Sequence, residues 1–386
     1  MKIKSIQARS VDCGFQAQKL QTSRVASPMS RWPKFGEKRS SWMWPTNKVF
    51  VRIESTDGAV GWSCTNGGDI VALIVQDHLA RLLAGAEVTD VAEIWDQMFF
   101  SLLPCDRSGF SMMAIAAVDI ALWDLRAKTE GRSLTELLGG GTGAALAVYC
   151  TTPQPEAQAN GKWWGLKAAM PFGATQGDMG LTENLAYMQG FRQHAGPEGR
   201  IMLDAFMAWD ADYTLRFAEA ARDLDIYWIE DPLPPYDLEG LRQIRARAGK
   251  DIRLALGNFC FNRFDCAELL REGLADILQP DVAWCGGITE TLRILDMAAA
   301  ASVPVILHNT AEQPWALALA MACQTDAVVE FVDRGEGSPL YGLMGPAAPI
   351  ALGRMPPDGI ASIGNHPPQR IAALFDGNAV STAQRR

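Results

Sequence analysis

The sequence lacks several features that would place it in common protein classes. Its eight cysteines include no Cys-x-x-Cys pair, which argues against a zinc ribbon or a disulfide framework and favours reduced, buried thiols. No apolar run approaches the roughly 20 residues that cross a bilayer. The first residues also lack the apolar core of a signal peptide. We therefore expect a cytoplasmic protein that does not associate with membranes.

Basic charge is scarce as well. The 35 Lys and Arg residues are outnumbered by 44 Asp and Glu residues, and the net charge of -9 is spread along the chain. Because nucleic acids and anionic membranes are bound by basic patches, neither is an expected partner. No Gly-x-Gly-x-x-Gly follows a strand pattern, which argues against a dinucleotide-binding sheet. An anionic small-molecule substrate would need a local positive charge from a metal ion, a lysine or an arginine.

The chain divides into two large parts and a short C-terminal segment. Residues 1–140 begin with alternating strand patterns and continue with helical patterns, which predicts an α+β domain. Its loop over 14–45 is long enough to cover a substrate. Over 141–350, eight short apolar runs alternate with amphipathic helices about every 25 residues, which favours a (β/α)₈ barrel over a doubly wound sheet. Residues 351–386 are rich in Pro and Gly and are expected to pack back on the first domain.

Three oxygen-bearing residues follow consecutive apolar runs. They are Asp204, Glu230 and Asn258. Because the carboxyl ends of parallel barrel strands meet at one face, these side chains would converge there. Carboxylate and amide oxygens are ligands for hard cations such as Mg²⁺, so the three together predict a metal site. Taken alone, Asn258 is equally well explained as a turn residue, since it follows a glycine.

A histidine and two further charged residues occupy the ends of other runs. His308 is either a buried core histidine or an acid/base residue, and Asp281 ends the preceding run. A carboxylate there could accept a hydrogen bond from one ring nitrogen, fix the tautomer and raise the basicity, which favours the acid/base role. Lys167 ends the second run and could be a second base, a carboxylate contact or a solvated lysine. Glu330, in the eighth run, could contact substrate or be a core-facing carboxylate.

The chain resembles the enolase superfamily, mandelate racemase subgroup, over nearly its whole length. The residues that carry the resemblance are the helix at 117–125, Leu137-Leu138-Gly139-Gly140, Leu203-Asp204, Trp228-Ile229-Glu230-Asp231-Pro232 and Gln279-Pro280-Asp281. Within this subgroup it is most similar to the L-rhamnonate dehydratases, through the segments 27–30, 177–180 and 279–287.

The resemblance implies an α/β fold, a modified (β/α)₈ TIM barrel with an N-terminal α+β capping domain. It also implies bound Mg²⁺, a small-molecule sugar acid as substrate, and a homo-oligomer. The implied site residues are Asp204, Glu230 and Asn258 for the metal, Asp281 and His308 for a catalytic dyad, and Arg39 in the capping loop for the substrate. L-rhamnonate dehydratases carry Glu-His where this chain has Asn258-Phe259, whereas the related glucarate dehydratases have Asn as the third ligand.

These residues favour a Mg²⁺-dependent acid-sugar dehydratase, a lyase that takes the C2 proton of an aldonate and eliminates the 3-hydroxyl to give a 2-keto-3-deoxy acid. His308 could serve as base and then as acid in a syn elimination. A racemase needs a base on each face of the substrate. In racemases of this subgroup, two lysines in a Lys-x-Lys arrangement lie on the second strand. In this chain Lys167 is followed by Ala168-Ala169, so the second lysine is missing. The alternatives are a racemase or epimerase of a 2-hydroxy acid and a catalytically impaired barrel that binds a sugar acid.

Overall fold

The computed structural model describes residues 1–13, 25–32, 34, 47–88, 90–140, 146–158, 163–323, 327–335, 338, 340, 343–344, 354–355 and 365–376. Arg39, most of the 14–45 loop and much of the 351–386 segment lie outside the described residues. Among the helices that are described, none has the length and apolar character needed to span a bilayer.

The N-terminal part is an antiparallel sheet covered by helices. Its three strands, paired in sequence order, are β1 (Ile3–Asp12), β2 (Asn47–Ser55) and β3 (Val60–Thr65). Its helices are α1 (Gly68–Ile74, continued by a π-turn at Val75–Leu79 and by Ala80–Leu82), α2 (Val91–Leu102), α3 (Phe110–Glu130) and α4 (Leu134–Leu137). The alanine-rich α3 is buried on almost every side, and it ends at Gly131, whose positive φ of 62° suits glycine.

The second part is a curled parallel sheet surrounded by helices, as the repeating pattern predicted. Its strands are β4 (Leu146–Thr151), β5 (Gly165–Ala169), β6 (Arg200–Asp204), β7 (Ile226–Glu230), β8 (Leu254–Leu256), β9 (Ile277–Leu278) and β10 (Val328–Val332). The helices between and after them are α5 (Gly177–Ala195), α6 (Ala211–Ala220), α7 (Leu238–Ala248), α8 (Arg263–Arg271), α9 (Ile288–Ala300) and α10 (Pro314–Cys323). The strand order is β10-β4-β5-β6-β7-β8-β9, and a short β11 (Arg354–Met355) pairs antiparallel with β4.

The apolar run that ends at His308 does not form a regular strand, although the repeating pattern predicted a strand there. It makes a single parallel bridge, between Leu278 and Val305. Pro304 in this run has no N–H to donate to a ladder. The segment still follows β9, because Ile306 N donates to Leu278 O at 2.9 Å and His308 N donates to Pro280 O at 3.1 Å. His308 therefore occupies an eighth strand position in the barrel.

Side chains alternate between the inside of the barrel and the layer of helices. The interior cluster contains one residue from most strand positions: Tyr149, Met202, Trp228, Ala255, Ile277 and Ile306. Their sequence neighbours, such as Leu203 and Ile229, pack against the helices. A separate core joins the N-terminal sheet and helices to residues of the barrel such as Trp284 and Trp315. The C-terminal helix α11 (Gln369–Asp376) also joins this core, where Phe375 lies edge-on to Trp62 at 4.9 Å.

All eight cysteines are free thiols, and six of them are buried.

Candidate active site

The two-residue alternation of the strands points the predicted site residues into the barrel. On β5, Leu166 and Ala168 face the helices, so Lys167 between them faces inward. On β6 and β7, Met202 and Trp228 belong to the interior cluster. Asp204 and Glu230 follow two positions later and share that face. Ile306 also belongs to the interior cluster, and His308, two positions later, shares its face.

The ends of these strands are held in unusual backbone conformations. Phe206 and Met207 have positive φ values of 47° and 59° just after Asp204, and Asp231 has a φ of 36° just after Glu230. Backbone bonds from Ala205 N to Glu230 O and from Met207 N to Asp231 O, at 3.0 and 2.7 Å, join the two turns. Asp204 and Glu230 are themselves paired in register. Non-glycine residues in this region concentrate at functional sites.

Lys167 lies between two carboxylates in the barrel interior. Its Nζ donates to Glu230 Oε1 and Oε2 at 2.8 and 2.7 Å, and it lies 2.8 Å from Glu330 Oε1. All three side chains are at most 1% exposed, so Lys167 is not the solvated lysine that the sequence left open. Burial alone would lower the pKa of Lys167, but the charges of Glu230 and Glu330 raise it well above its usual value.

Glu330 connects Lys167 to the histidine. Thr151 Oγ1 donates to Glu330 Oε1 at 2.5 Å, and Asn309 N donates to Oε2 at 2.8 Å. Oε2 lies 4.0 Å from His308 Nε2. Burial raises the pKa of Glu330, but Lys167 and His308 outweigh it and lower the pKa to about 2. Glu330 is therefore an ionised carboxylate that faces the centre of the site.

His308 and Asp281 form the predicted dyad. His308 Nδ1 lies 2.8 Å from Asp281 Oδ2, and since a carboxylate only accepts, Nδ1 carries the proton. Gln313 Nε2 donates to both Asp281 oxygens at 3.0 and 3.1 Å, and Ala283 N donates to Oδ1 at 2.8 Å. Burial lowers the pKa of His308, but the hydrogen bond to Asp281 and the charge of Glu330 outweigh it, so the pKa is raised. Nε2 is left as the nitrogen available for proton transfer.

Asp204, Glu230 and Asn258 fit a hard cation. Asn258 Oδ1 is buried and has no protein hydrogen-bond partner, which is costly unless a ligand satisfies it. Burial and the charge of Glu230 raise the pKa of Asp204 to about 7, a repulsion that a bound cation would relieve. No group of three His, Cys, Asp or Glu residues suited to a metal occurs in the part of the chain that is described. Such a group would not include an asparagine, so a site with two carboxylates and the Asn258 amide is compatible with this result. Donor sets made only of oxygen atoms are typical of Mg²⁺.

Sequence reasoning missed several residues that hold this site. Thr151 ends the first apolar run and shares the inward face of Tyr149, so the alternation of β4 could have identified it. Gln313 has no such signal, because it lies in the loop before α10. Trp284, whose ring centroid is 5.3 Å from that of His308, follows the Gln279-Pro280-Asp281 motif. Of the predicted residues, Arg39 lies outside the described part of the chain.

Comparison with known proteins gave matches over most of the chain. Residues 43–139 match the N-terminal domain of the mandelate racemase / muconate lactonizing enzyme family, and residues 143–358 match its enolase C-terminal domain-like partner. An L-rhamnonate dehydratase of Saccharopolyspora erythraea is 37% identical over 287 residues, 74% of each protein.

Two solved structures are similar along nearly the whole chain. Rhamnonate dehydratase from Gibberella zeae, complexed with Mg, is 30% identical with a TM-score of 0.87, over 96% of this chain and 95% of that one. L-talarate dehydratase from Polaromonas sp. JS666, complexed with Mg and L-glucarate, is 26% identical with a TM-score of 0.74, over 96% of both chains.

Proposed function

This chain belongs to the mandelate racemase / muconate lactonizing enzyme family of the enolase superfamily, and from that premise we propose that it is a Mg²⁺-dependent dehydratase of a sugar acid. Membership confirms the resemblance that the strand-end motifs indicated. One observation carries the choice of reaction. His308 keeps Nε2 available for proton transfer, whereas Lys167, the candidate second base, is bonded to two carboxylates. That arrangement favours an elimination served by one acid/base residue over a racemisation served by two.

The metal would be held by Asp204, Glu230 and Asn258. When bound, Mg²⁺ would stabilise the negative charge that develops on a substrate carboxylate as the neighbouring carbon loses its proton. The unpartnered oxygen of Asn258 and the mutual repulsion of the two carboxylates support this ligand set. Asn258 contributes an oxygen without adding a third negative charge.

His308 carries the proton transfers. Its Nε2 takes the proton from C2 of the sugar acid, and Asp281 holds the ring and stabilises the imidazolium that forms. The same Nε2–H then protonates the 3-hydroxyl as the C3–O bond breaks, so that water leaves and an enol remains. The enol tautomerises to the 2-keto-3-deoxy acid. His308 returns to its neutral form, and no net proton is consumed.

Lys167 and Glu330 position the substrate and the catalytic groups. Lys167 keeps a positive charge beside Glu230, where a substrate carboxylate would bind. Glu330 lies between Lys167 and His308 and holds both side chains in position. We assign Arg39 to substrate binding through the family resemblance alone.

We also propose a division into a capping domain at 1–140, a barrel at 141–350 and a segment at 351–386 that packs back on the cap. The contact of Phe375 with Trp62 supports the last part. We further propose that the protein acts in the cytoplasm, which its free thiols support, and that it forms the homo-oligomer implied by the resemblance.

The test is a screen of the Mg²⁺-loaded protein against aldonic and aldaric acids, assayed for a 2-keto acid that reacts with semicarbazide. His308→Asn should lower turnover by roughly 10²–10⁴-fold, the usual contribution of a general acid/base. His194→Asn is the matched control, because that exposed ring bonds to the backbone oxygen of Gly190 on α5, away from the barrel face. A change in optical rotation without a keto product would instead establish racemisation.

A further inference from the structure

The carboxylate of Asp281 has a second side-chain partner besides His308. Gln313 Nε2 lies 3.0 Å from Oδ1 and 3.1 Å from Oδ2, between the two oxygens, and Ala283 N donates to Oδ1 at 2.8 Å. Asp281 is 1% exposed and Gln313 is 6% exposed, so their contact is shielded from bulk solvent. Because a hydrogen bond to an ionised group is stronger than one between neutral groups, Gln313 affects the charge that Asp281 presents to His308.

The backbone of Gln313 is fixed by the sequence Gln313-Pro314-Trp315 at the start of α10. Proline favours an extended backbone in the residue before it, and Gln313 has a φ of -119° and a ψ of 100°. Leu317 N donates to Gln313 O at 3.0 Å, so the hydrogen bonds of the helix begin at this residue. The amide is therefore anchored to the start of a helix.

Trp315 determines which way the amide of Gln313 points. Its Nε1 donates to Gln313 Oε1 at 2.9 Å, and its ring is buried in the core that joins the N-terminal part to the barrel. An indole N–H can only donate and a carboxylate can only accept, so the amide oxygen faces Trp315 and the amide nitrogen faces Asp281. Trp315, Gln313, Asp281 and His308 form one chain of hydrogen bonds, in which both inner groups are held from two sides.

Gln313 and His308 draw on the charge of the same carboxylate. The charge of Asp281 stabilises the imidazolium form of His308, and every further donor to Asp281 takes part of that effect away. The other charged side chains around the dyad are Lys167 on β5, Glu330 on β10, Lys48 on β2 and Glu312 in the loop before α10. A substitution of Gln313 leaves these four in place, so its effect on His308 passes through Asp281.

We propose that Gln313 is a positioning residue for the proton transfers of His308. It holds the plane of the Asp281 carboxylate against the Nδ1–H group and limits the stabilisation of the imidazolium. Nε2 can then return to the 3-hydroxyl the proton that it takes from C2. Trp315 keeps the amide in the orientation that donates. The assignment rests on the proposed dehydratase function, in which a single ring serves as base and then as acid.

The test is the titration of His308 in the Mg²⁺-loaded protein, followed by NMR of ¹⁵N-labelled histidine. The chain has four histidines, and the signal that is missing from His308→Asn belongs to His308. Gln313→Met keeps the length of the side chain but cannot donate, so it should raise the pKa of His308 by roughly one pH unit. Trp315→Phe, which keeps a ring but frees the amide, should give a smaller shift in the same direction.

Activity provides a second measurement wherever a sugar acid is turned over. The base form of His308 starts the reaction, so the acidic limb of kcat/KM should move to higher pH in Gln313→Met by the same amount as the pKa of the ring. Gln243→Met is the matched control, because that exposed amide lies on α7 and bonds to Glu239. It should leave both the titration and the pH profile unchanged.

A pKa of His308 that is unchanged or lower in folded Gln313→Met would overturn the assignment. Thermal unfolding verifies folding, and if that variant does not fold, an unshifted pKa in Trp315→Phe has the same meaning. The titration needs no substrate, which separates this failure from failure of the proposed function. If no sugar acid is dehydrated but the pKa rises as expected, the dehydratase proposal is wrong and the role of Gln313 towards His308 stands. Turnover with an unshifted pKa would leave the dehydratase function and refute the role of Gln313.

Discussion

The barrel face and the interface between the capping helices and the barrel both bury polar side chains, but of Asp119, Asp124 and Asn258 only Asn258, at the barrel face, has an oxygen without a partner. At the interface, Asp119 on α3 accepts from Thr289 N and Thr289 Oγ1 at 3.0 and 2.6 Å, which caps the start of α9 from another part of the chain. Asp124 accepts from the backbone of Trp62 and Asn365 and from Lys128. At the barrel face, Asn258 keeps a buried oxygen without a partner. The two interface carboxylates connect the cap to other parts of the chain, whereas the unpartnered buried oxygen of Asn258 indicates a ligand.

The comparison predicts that a substitution in the dyad removes activity and leaves the fold intact. Asp281→Asn should lower kcat by roughly 10²–10⁴-fold, because the neutral amide no longer stabilises the imidazolium of His308. It should also move the acidic limb of the kcat/KM profile to lower pH. Asp281 raises the pKa of His308, so without it the ring stays unprotonated, and active as a base, to a lower pH. The measurement is a pH–rate profile, with Asp251→Asn on an exposed turn as control.

An unshifted acidic limb in Asp281→Asn would mean that Asp281 does not set the basicity of His308.

At the interface the opposite outcome is expected. Asp124→Ala leaves two buried backbone N–H groups without an acceptor and takes the counter-ion from Lys128. Each orphaned donor costs about 1–3 kcal/mol, so the free energy of unfolding should fall by about 2–5 kcal/mol. Urea denaturation measures this loss, and kcat below the transition should change little. A large fall in kcat of Asp124→Ala with unchanged stability would show that this interface carboxylate serves catalysis and not the fold.

Asn258 tests the difference between the two regions most directly. Its unpartnered oxygen destabilises the folded protein until a ligand binds to it. Asn258→Leu should abolish Mg²⁺ binding, yet without Mg²⁺ it should be as stable as the unaltered protein or more stable, since an apolar side chain replaces an unsatisfied amide. Asn258→Asp should bind Mg²⁺ about tenfold more tightly because it adds a negative charge to the donor set. Calorimetry with Mg²⁺ and thermal unfolding with a chelator measure the two effects. Unchanged Mg²⁺ affinity in Asn258→Leu would exclude Asn258 as a ligand.

Sequence patterns predicted what depends on local periodicity. The ends of the apolar runs located Asp204, Glu230 and Asp281, because in a parallel barrel every strand ends at the same face. The pattern did not predict the irregular run before His308, where Pro304 interrupts the ladder. Nor could it predict partners distant in sequence, such as Asp119 with Thr289 or Gln313 with Asp281, because those contacts arise only when helices pack on the finished barrel. The pattern also left the role of Lys167 open between a solvated lysine and a site residue. Only the pairing of strands distant in sequence brings Glu230 and Glu330 to it.

Asp119 adds a pH dependence to the stability of the interface. Burial raises the pKa of Asp119 to about 7 in the folded protein, although its bonds with Thr289 act in the other direction. The folded state therefore holds this proton over a range, from about pH 4 to 7, in which the unfolded chain has released it. Stability from this group is fully present below pH 4 and is lost as the pH rises towards 7 and above.

Asp119→Asn cannot lose that proton, so the advantage of the unaltered protein over the variant should shrink as the pH rises from 4 to 8, by roughly a few °C in Tm. Glu290→Gln provides a comparison at the same interface, because that carboxylate bonds to Arg263 and Arg293 and already has cationic partners. Thermal unfolding of the three proteins across this range is the measurement. Parallel curves for the unaltered protein and Asp119→Asn would show that Asp119 stays ionised, held by the hydrogen bonds from Thr289. The interface carboxylate would then be satisfied as an anion, and the contrast with Asn258 at the barrel face would be sharper still.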